Sequence, residues 1–175
     1  MKSMEFNFDD LLFENLTQGE VTLSEVLNQI KSFLEENPKA EYSLVIGTDS
    51  HEKHDDEKNT KKINLVTAIL VHRKGFGGRY FWKRNYVGNI HTLREKIYAE
   101  TMTSLNFASL FVPLLKKKLN GTSAKYFLEI HIDVGEHGDT REMIKEVVGM
   151  VTGNGYVAKT KPEAYGASYV ADKHT

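Results

Sequence analysis

The spacing of apolar residues predicts an amphipathic helix near the start of the chain. Leucine, isoleucine, valine and phenylalanine recur over residues 23–34 at the three- and four-residue intervals of one helical face. Thr22 and Glu25 have the spacing of a capping box at its start, and Asn37-Pro38 ends it. We expect this helix to belong to an N-terminal helical extension, residues 1–39, that packs on the main domain formed by residues 40–175.

Five strand patterns follow the helix. Short apolar or alternating runs predict strands at residues 42–47, 63–72, 79–87, 126–132 and 156–159. The polar stretch 51–62 is interpreted as a solvated loop. Between and after these strands, the pattern predicts a long helix from Thr92 toward Asn120, a helix capped near Asp139 and a short terminal helix from Ala164.

The order of these elements predicts an α/β fold with one mixed sheet. The first three strands are close in sequence and form an antiparallel meander most economically. Helices separate the later strands, so the first, fourth and fifth strands are expected to be parallel. Helices then flank a five-stranded sheet.

Composition narrows the class of protein. With 175 residues, 40% apolar and 27% charged, the chain has the balance of a globular domain. No apolar run approaches the ~20 residues of a membrane span, and the start lacks a secretory signal. Without cysteine there is no disulfide, thiolate zinc site or cysteine nucleophile. We therefore expect a cytoplasmic protein with no membrane partner.

Charge is distributed unevenly along the chain. Residues 1–57 carry a net charge of −10, whereas residues 58–94 contain nine Lys or Arg and no acid. An acid-free basic stretch predicts a polyanionic partner such as a nucleic acid. The alternative is that the acidic N-terminal segment neutralises this stretch within the fold. The candidate nucleic-acid contacts are Lys61, Lys62, Arg73, Lys74, Arg79, Lys83 and Arg84.

Aromatic residues are interleaved with these basic ones on the third predicted strand. Tyr80, Trp82 and Tyr86 share one face of it. Such a face suits base stacking along a nucleic-acid strand. It is equally typical of a sheet face that a helix covers, and both interpretations stay open.

Two aspartates follow predicted parallel strands. Asp49 ends the first strand and Asp133 ends the fourth. If these strands are neighbours, both carboxylates lie at the carboxyl edge of the sheet, where α/β folds place ligands. Two converging carboxylates repel each other unless a cation lies between them, so this edge is a candidate cation site.

A third acid interrupts the apolar face of the long helix. Glu100 and Ser104 occupy positions of that face that are otherwise apolar. A buried carboxylate is costly unless it is paired or binds a metal, which makes Glu100 a candidate ligand. Asp172 is the fourth acid, although taken alone it would be a solvated residue.

Strand, helix and terminal acids in this order resemble the ribonuclease H-like superfamily, and in particular its bacterial YkuK-like branch. The resemblance covers roughly residues 40–175. It rests on Ile46-Gly-Thr-Asp-Ser-His51, His131-Ile-Asp-Val-Gly-Glu-His-Gly-Asp-Thr140 and Lys161-Pro-Glu-Ala-Tyr-Gly-Ala-Ser-Tyr-Val-Ala-Asp-Lys173.

The resemblance implies a function and a site. Its four carboxylates fall on Asp49, Glu100, Asp133 and Asp172, which would be both catalytic residues and metal ligands. Such enzymes hold two Mg²⁺ or Mn²⁺ ions ~4 Å apart and hydrolyse phosphodiester bonds. His51 and His174 lie near the acids in sequence and are candidate supporting residues. The leading expectation is a metal-dependent nuclease. Two alternatives remain: a catalytically inactive nucleic-acid-binding module, and a protein-interaction scaffold that uses the acidic segment.

Overall fold

The structure is a computed structural model in which one sheet runs through the molecule. It describes residues 11–55, 60–88, 90–136, 140–165, 169–170 and 173–174, with backbone alone for 53–55 and 60–62. The strands are β1 (Leu12–Asn15), β2 (Gly19–Thr22), β3 (Glu41–Asp55), β4 (Thr60–Arg73), β5 (Gly77–Val87), β6 (Lys125–His131) and β7 (Val157–Lys159). The helices are α1 (Leu23–Glu36), α2 (Leu93–Lys118) and α3 (Ile144–Gly153), the last entered through a 3₁₀ turn at Arg141–Met143.

The seven strands are ordered β2-β1-β5-β4-β3-β6-β7. β3, β4 and β5 form an antiparallel meander. β6 runs parallel to β3, and β7 runs parallel to β6. The α/β fold with a meander followed by parallel strands is therefore confirmed.

The count of five strands was wrong, because a hairpin precedes α1. β1 and β2 pair with each other, and β1 joins the edge of β5 through Glu14 opposite Trp82. Each strand has only four residues and contributes one buried residue, Phe13 or Val21. Alternation over so short a segment is too weak a signal to predict a strand.

The loop expected at residues 51–62 was wrong for residues 51–55 and 60–62, while residues 56–59 lie outside the described part of the chain. β3 continues to Asp55 and β4 begins at Thr60, and their backbones pair from His51 opposite Asn64 to Asp55 opposite Thr60. Ile63 is the last β4 residue paired with β5, and beyond it the two-stranded β3–β4 ribbon needs no buried face. Its polar sequence therefore carries no apolar pattern that would reveal the strands.

Both predicted capping boxes are confirmed. The Thr22 backbone N–H donates to Glu25, whose own N–H donates to the Thr22 hydroxyl. Thr92 and Glu95 make the same exchange at the start of α2. These bonds satisfy backbone donors that a helix leaves unpaired at its N-terminus. The cap predicted at Asp139 and part of the predicted terminal helix lie outside the described residues.

The core forms between one face of the sheet and the helices. α1 buries the six apolar residues that its periodicity indicated: Leu23, Val26, Leu27, Ile30, Phe33 and Leu34. They pack with sheet residues such as Ile46 and Ile69, and with Phe111 and Leu115 of α2. Within the described part of the chain, no helix combines the length and apolar character that crossing a bilayer requires.

The β1–β2 hairpin is expected to contribute to stability although the sequence did not predict it. Phe13 is 1% exposed and meets Phe107 edge-on, with ring centroids 5.8 Å apart. Phe13→Ala should lower the free energy of unfolding by about 3–5 kcal/mol, through lost contacts and a cavity. Urea denaturation measures the change. Leu16→Ala, in the exposed turn of the same hairpin, is the control and should change it by under about 0.5 kcal/mol. Equal effects of both variants would contradict a packed hairpin.

Candidate active site

Two aspartates meet where the sheet divides. The β3–β6 pairing ends at Gly47 opposite His131. Asp49 and Asp133 each lie two residues beyond that last pair, on neighbouring parallel strands. Asp49 is 8% exposed, and the Asp133 side chain is 22% exposed. Among the described strands, β3 beyond Gly47 pairs only with β4, which opens a notch bordered by both carboxylates.

Glu100 approaches the notch from α2. It is 5% exposed, as the interrupted apolar face of the helix predicted. The Ser50 hydroxyl donates to its Oε1 at 2.6 Å, and the Ser50 backbone N–H donates to Asp49 Oδ1 at 2.8 Å. One residue of β3 thus fixes the orientation of two carboxylates.

Ser104 is buried for a different reason. Its hydroxyl donates to Thr48 Oγ1 at 2.8 Å, and the Thr48 and Thr67 hydroxyl oxygens are 3.0 Å apart. This buried network joins α2 to β3 and β4 one helical turn after Glu100. It satisfies polar groups that would otherwise be costly to bury, and it positions the helix that carries the carboxylate.

The three acids line one cleft. Asp49, Glu100 and Asp133 border a space of about 330 Å³ together with Lys96, Lys161 and residues that include Gly135 and Thr140. At ~30 Å³ per water, that space has room for a phosphate group with its hydration. The structure therefore brings together three of the four carboxylates predicted as ligands. Asp172, the fourth, lies outside the described residues.

Glu100 titrates abnormally. Burial raises the pKa of Glu100 from 4.5 to about 8, and the negative charges of Asp49 and Asp133 add to the rise. The Ser50 hydrogen bond and the Lys96 charge oppose it. The repulsion between these carboxylates is the interaction that a bound cation would relieve.

Two lysines of the cleft were missed by the sequence analysis. Lys161 Nζ lies 2.8 Å from Asp133 Oδ1, and Lys96 Nζ lies 3.9 Å from Glu100 Oε1. Lys96 is four residues before Glu100 on α2, so helical spacing signals that pair. Nothing local signals Lys161, which reaches the cleft only through the pairing of β6 with β7.

The donor chemistry of the cleft fits a hard cation. Its three candidate ligands offer only carboxylate oxygens, the atoms that Mg²⁺ and Mn²⁺ prefer. Among the residues that the structure describes, no group of three or more His, Cys, Asp or Glu side chains is arranged as a ready metal site. Lysine ammonium groups lie beside two of the three acids, Lys96 near Glu100 and Lys161 against Asp133.

The two histidines predicted as supporting residues lie in different surroundings. His51 is exposed on the β3–β4 ribbon, two residues beyond Asp49. His174 instead stacks on Trp82, with ring centroids 3.6 Å apart and ring planes within 8°. Burial lowers the pKa of His174, and the Arg84 charge lowers it further. Their supporting roles stay predictions.

Acids of the N-terminal segment pair with much of the basic stretch. Four of the predicted nucleic-acid contacts form such ion pairs: Arg73 and Arg79 with Glu36, Lys74 with Glu41, and Arg84 with Glu14. Burial lowers the pKa of Lys83. The side chains of Lys61 and Lys62 lie outside the described part. The fold thus uses much of the charge asymmetry internally, and the nucleic-acid contacts stay a prediction.

The aromatic face of β5 is covered in part. Trp82 is 4% exposed beneath His174, and Tyr80 packs beside it. This cover comes from His174, near the end of the chain. Tyr86, on the same face, is 57% exposed and remains available for stacking.

Fold and cleft together define the class of this protein. The chain matches the family described as Ribonuclease H-like over residues 25–175, and it belongs to that family. A relative from Bacillus subtilis (strain 168), described as "Uncharacterized protein YkuK", is 34% identical over 175 residues, which cover 95% of this chain and 98% of the relative. The predicted YkuK-like resemblance is thereby confirmed. No solved structure matches the chain.

The burial of Glu100 makes stability depend on pH. Because the folded-state pKa lies above the ordinary 4.5, the folded protein binds more protons between pH 4.5 and about 8. This contribution to the free energy of unfolding is complete below pH 4.5 and is lost as the pH rises through about 8. Glu100→Gln cannot ionise, so in EDTA its stability relative to the wild type should rise by up to about 5 kcal/mol as the pH increases from 4.5 to above 8.

Urea denaturation of both proteins from pH 5 to 9 measures this difference. Glu35→Gln, at an exposed carboxylate of α1, is the control and should follow the wild-type pH profile. Parallel profiles for wild type and Glu100→Gln would show that Glu100 ionises normally.

Proposed function

We propose that this protein is a divalent-metal-dependent nuclease that hydrolyses phosphodiester bonds of a nucleic acid. One observation carries the proposal: Asp49, Glu100 and Asp133 converge on one cleft at the divided edge of a ribonuclease H-like sheet. A purely structural role does not account for three acids brought together from two strands and a helix, because their repulsion destabilises the fold.

The proposed cofactor is Mg²⁺ or Mn²⁺. Asp49, Glu100 and Asp133 would hold it, and Asp172 is proposed as a further ligand. When bound, such ions polarise phosphate oxygens and lower the pKa of a water molecule so that it attacks at neutral pH. The family resemblance implies two ions. Lys161 and Lys96 lie beside Asp133 and Glu100, so their positive charges affect how many cations the cleft can bind.

The protein's own groups prepare the cleft. Ser50 orients both Asp49 and Glu100 through its N–H and hydroxyl. Glu100 holds a proton on its carboxyl near neutral pH, since its pKa is about 8, and cation binding would release that proton. Lys96 and Lys161 place positive charge where an anionic backbone would enter.

Asparagine substitution of the strand-end acids tests the nuclease proposal. Asp49→Asn and Asp133→Asn remove the anionic ligand with little change of shape, so each should lower metal-dependent cleavage by roughly 10³-fold. The assay uses labelled single strands, duplexes, an RNA–DNA hybrid and a four-way junction in Mn²⁺, Mg²⁺ and EDTA.

Glu52→Gln is the matched control, because Glu52 is an exposed acid three residues beyond Asp49 on β3. It should retain wild-type cleavage. Cleavage that persists in EDTA, or that survives in Asp49→Asn, would identify a contaminating nuclease and contradict the assignment.

The lysine pairs also favour a second candidate function. Lys161 and Lys96 already compensate two of the acids, which a site that binds nucleic acid without cleaving it would require. In this candidate, the ribonuclease H-like domain is a binding module. If the wild type cleaves none of the substrates but binds a nucleic acid with measurable affinity, the binding module is favoured over the nuclease.

Nucleic-acid affinity should depend on salt in either case. Each phosphate contact releases condensed counterions, so log K should fall with log[salt] by about 0.9 per contact on a duplex. Fluorescence anisotropy at several salt concentrations gives the slope. Tyr86→Ala, at the exposed aromatic residue of β5, should weaken binding to single strands by roughly tenfold if bases stack there. A salt-independent affinity would contradict contact with the phosphate backbone.

A further inference from the structure

Lys161 makes a close ion pair in the cleft. Its Nζ is 2.8 Å from Asp133 Oδ1, a hydrogen-bonding distance, whereas Lys96 Nζ is 3.9 Å from Glu100. Half of the Lys161 side chain stays exposed, so a ligand that enters the cleft can reach the ammonium group. Lys161 therefore combines a direct bond to a candidate ligand with access to substrate.

The backbone around Lys161 holds it in place. The Lys161 N–H donates to the Val134 carbonyl at 2.8 Å, which ties the lysine to the segment that carries Asp133. A Cβ on Gly135 would lie 3.2 Å from the Lys161 Cβ, closer than a normal packing contact. Glycine at that position thus makes room for the lysine stem. These two backbone features hold the Lys161 ammonium group beside Asp133.

A second cleft meets the first at this lysine. It has a volume of about 560 Å³ and shares Gly135 and Lys161 with the cleft of the three acids. Lys161 therefore lies at the junction of two connected spaces. A strand that passes from one to the other would bring a phosphate beside the ammonium group.

The charges of the cleft limit how many ions it can hold. When all groups are ionised, the three carboxylates and two lysines that the structure describes in the cleft sum to −1, and the proposed ligand Asp172 would bring the sum to −2. One divalent cation then brings the charge to between 0 and +1, which a phosphodiester with its single negative charge matches to within one unit. Two divalent cations would leave +2 or +3 in a partly buried space, which is unfavourable.

From the Lys161–Asp133 pair and this charge balance, we propose that Lys161 replaces one of the two divalent ions, so that the cleft binds a single divalent cation. The inference rests on the proposed function, because it requires that the carboxylates bind a metal. Lys161 supplies a fixed positive charge beside Asp133, and the cation binds among the remaining carboxylate oxygens.

Counting bound Mn²⁺ tests the proposal without any activity assay. Isothermal titration calorimetry and electron paramagnetic resonance on the full chain, without nucleic acid, should give one Mn²⁺ per wild-type chain. Lys161→Met removes the ammonium group beside Asp133 Oδ1 and should bind a second Mn²⁺. Lys161→Arg keeps the charge and should still bind one.

Lys159→Met is the matched control. Lys159 lies two residues before Lys161 and pairs with Glu163 at 3.3 Å, outside the cleft of the three acids. Its loss should leave the count at one. Thermal unfolding checks that each variant is folded. If Lys161→Met is not folded, Lys161→Gln is the second variant without a positive charge at this position.

Each outcome decides a different claim. Two Mn²⁺ ions in the wild type would overturn the role of Lys161 and leave the nuclease proposal standing. A single Mn²⁺ in a folded Lys161→Met or Lys161→Gln variant would have the same meaning. No Mn²⁺ in the wild type or in any variant would overturn both. An increase from one to two that occurs only in the neutral variants supports the inference.

Discussion

Repulsion between converging carboxylates is the constraint on which the rest of this structure depends. Two parallel strands and a helix carry Asp49, Asp133 and Glu100 to one cleft, where each charge makes the next harder to hold. The fold compensates locally, with the Ser50 hydroxyl on Glu100 and lysine ammonium groups on Glu100 and Asp133. The compensation is incomplete, since the pKa of Glu100 stays near 8. A site that is stabilised only in part is ready for a cation or an ammonium group to complete it.

Charge compensation also organises the opposite end of the sheet. Acids of α1, β1 and β3 face the basic residues of β4, β5 and the turn between them, so segments that are unbalanced in sequence are balanced in space. The β1–β2 hairpin adds to this by extending the sheet beyond β5 and by bringing Glu14 to Arg84. The basic stretch, which in sequence resembles a nucleic-acid surface, therefore forms ion pairs that stabilise the fold. The basic residues there that stay exposed and without an acidic partner in the fold determine how much positive charge remains for a nucleic acid.

The sequence predicts what depends on regular periodicity and misses what depends on tertiary pairing. The six buried residues of α1, both capping boxes and the interruption at Glu100 follow from spacing alone. The parallel direction of β3 and β6 follows from the order of strands and helices, and their pairing brings Asp49 beside Asp133. The β1–β2 hairpin and the β3–β4 ribbon have no apolar pattern long enough to detect. Lys161 was missed because its role comes from strand pairing 28 positions after Asp133, a relation that composition does not encode.

The early end of β6 has a further consequence for the mechanics of the cleft. Up to Gly47, β3 is hydrogen-bonded to neighbours on both sides, and beyond it only β4 remains. Strands with one partner open locally at lower free energy than strands with two, so hydrogen exchange should quicken along β3 just where Asp49 lies. The carboxylate thus marks the border between a rigid sheet and a ribbon that bends more easily. The sheet therefore holds one end of the cleft rigidly, while the ribbon lets the other end change shape.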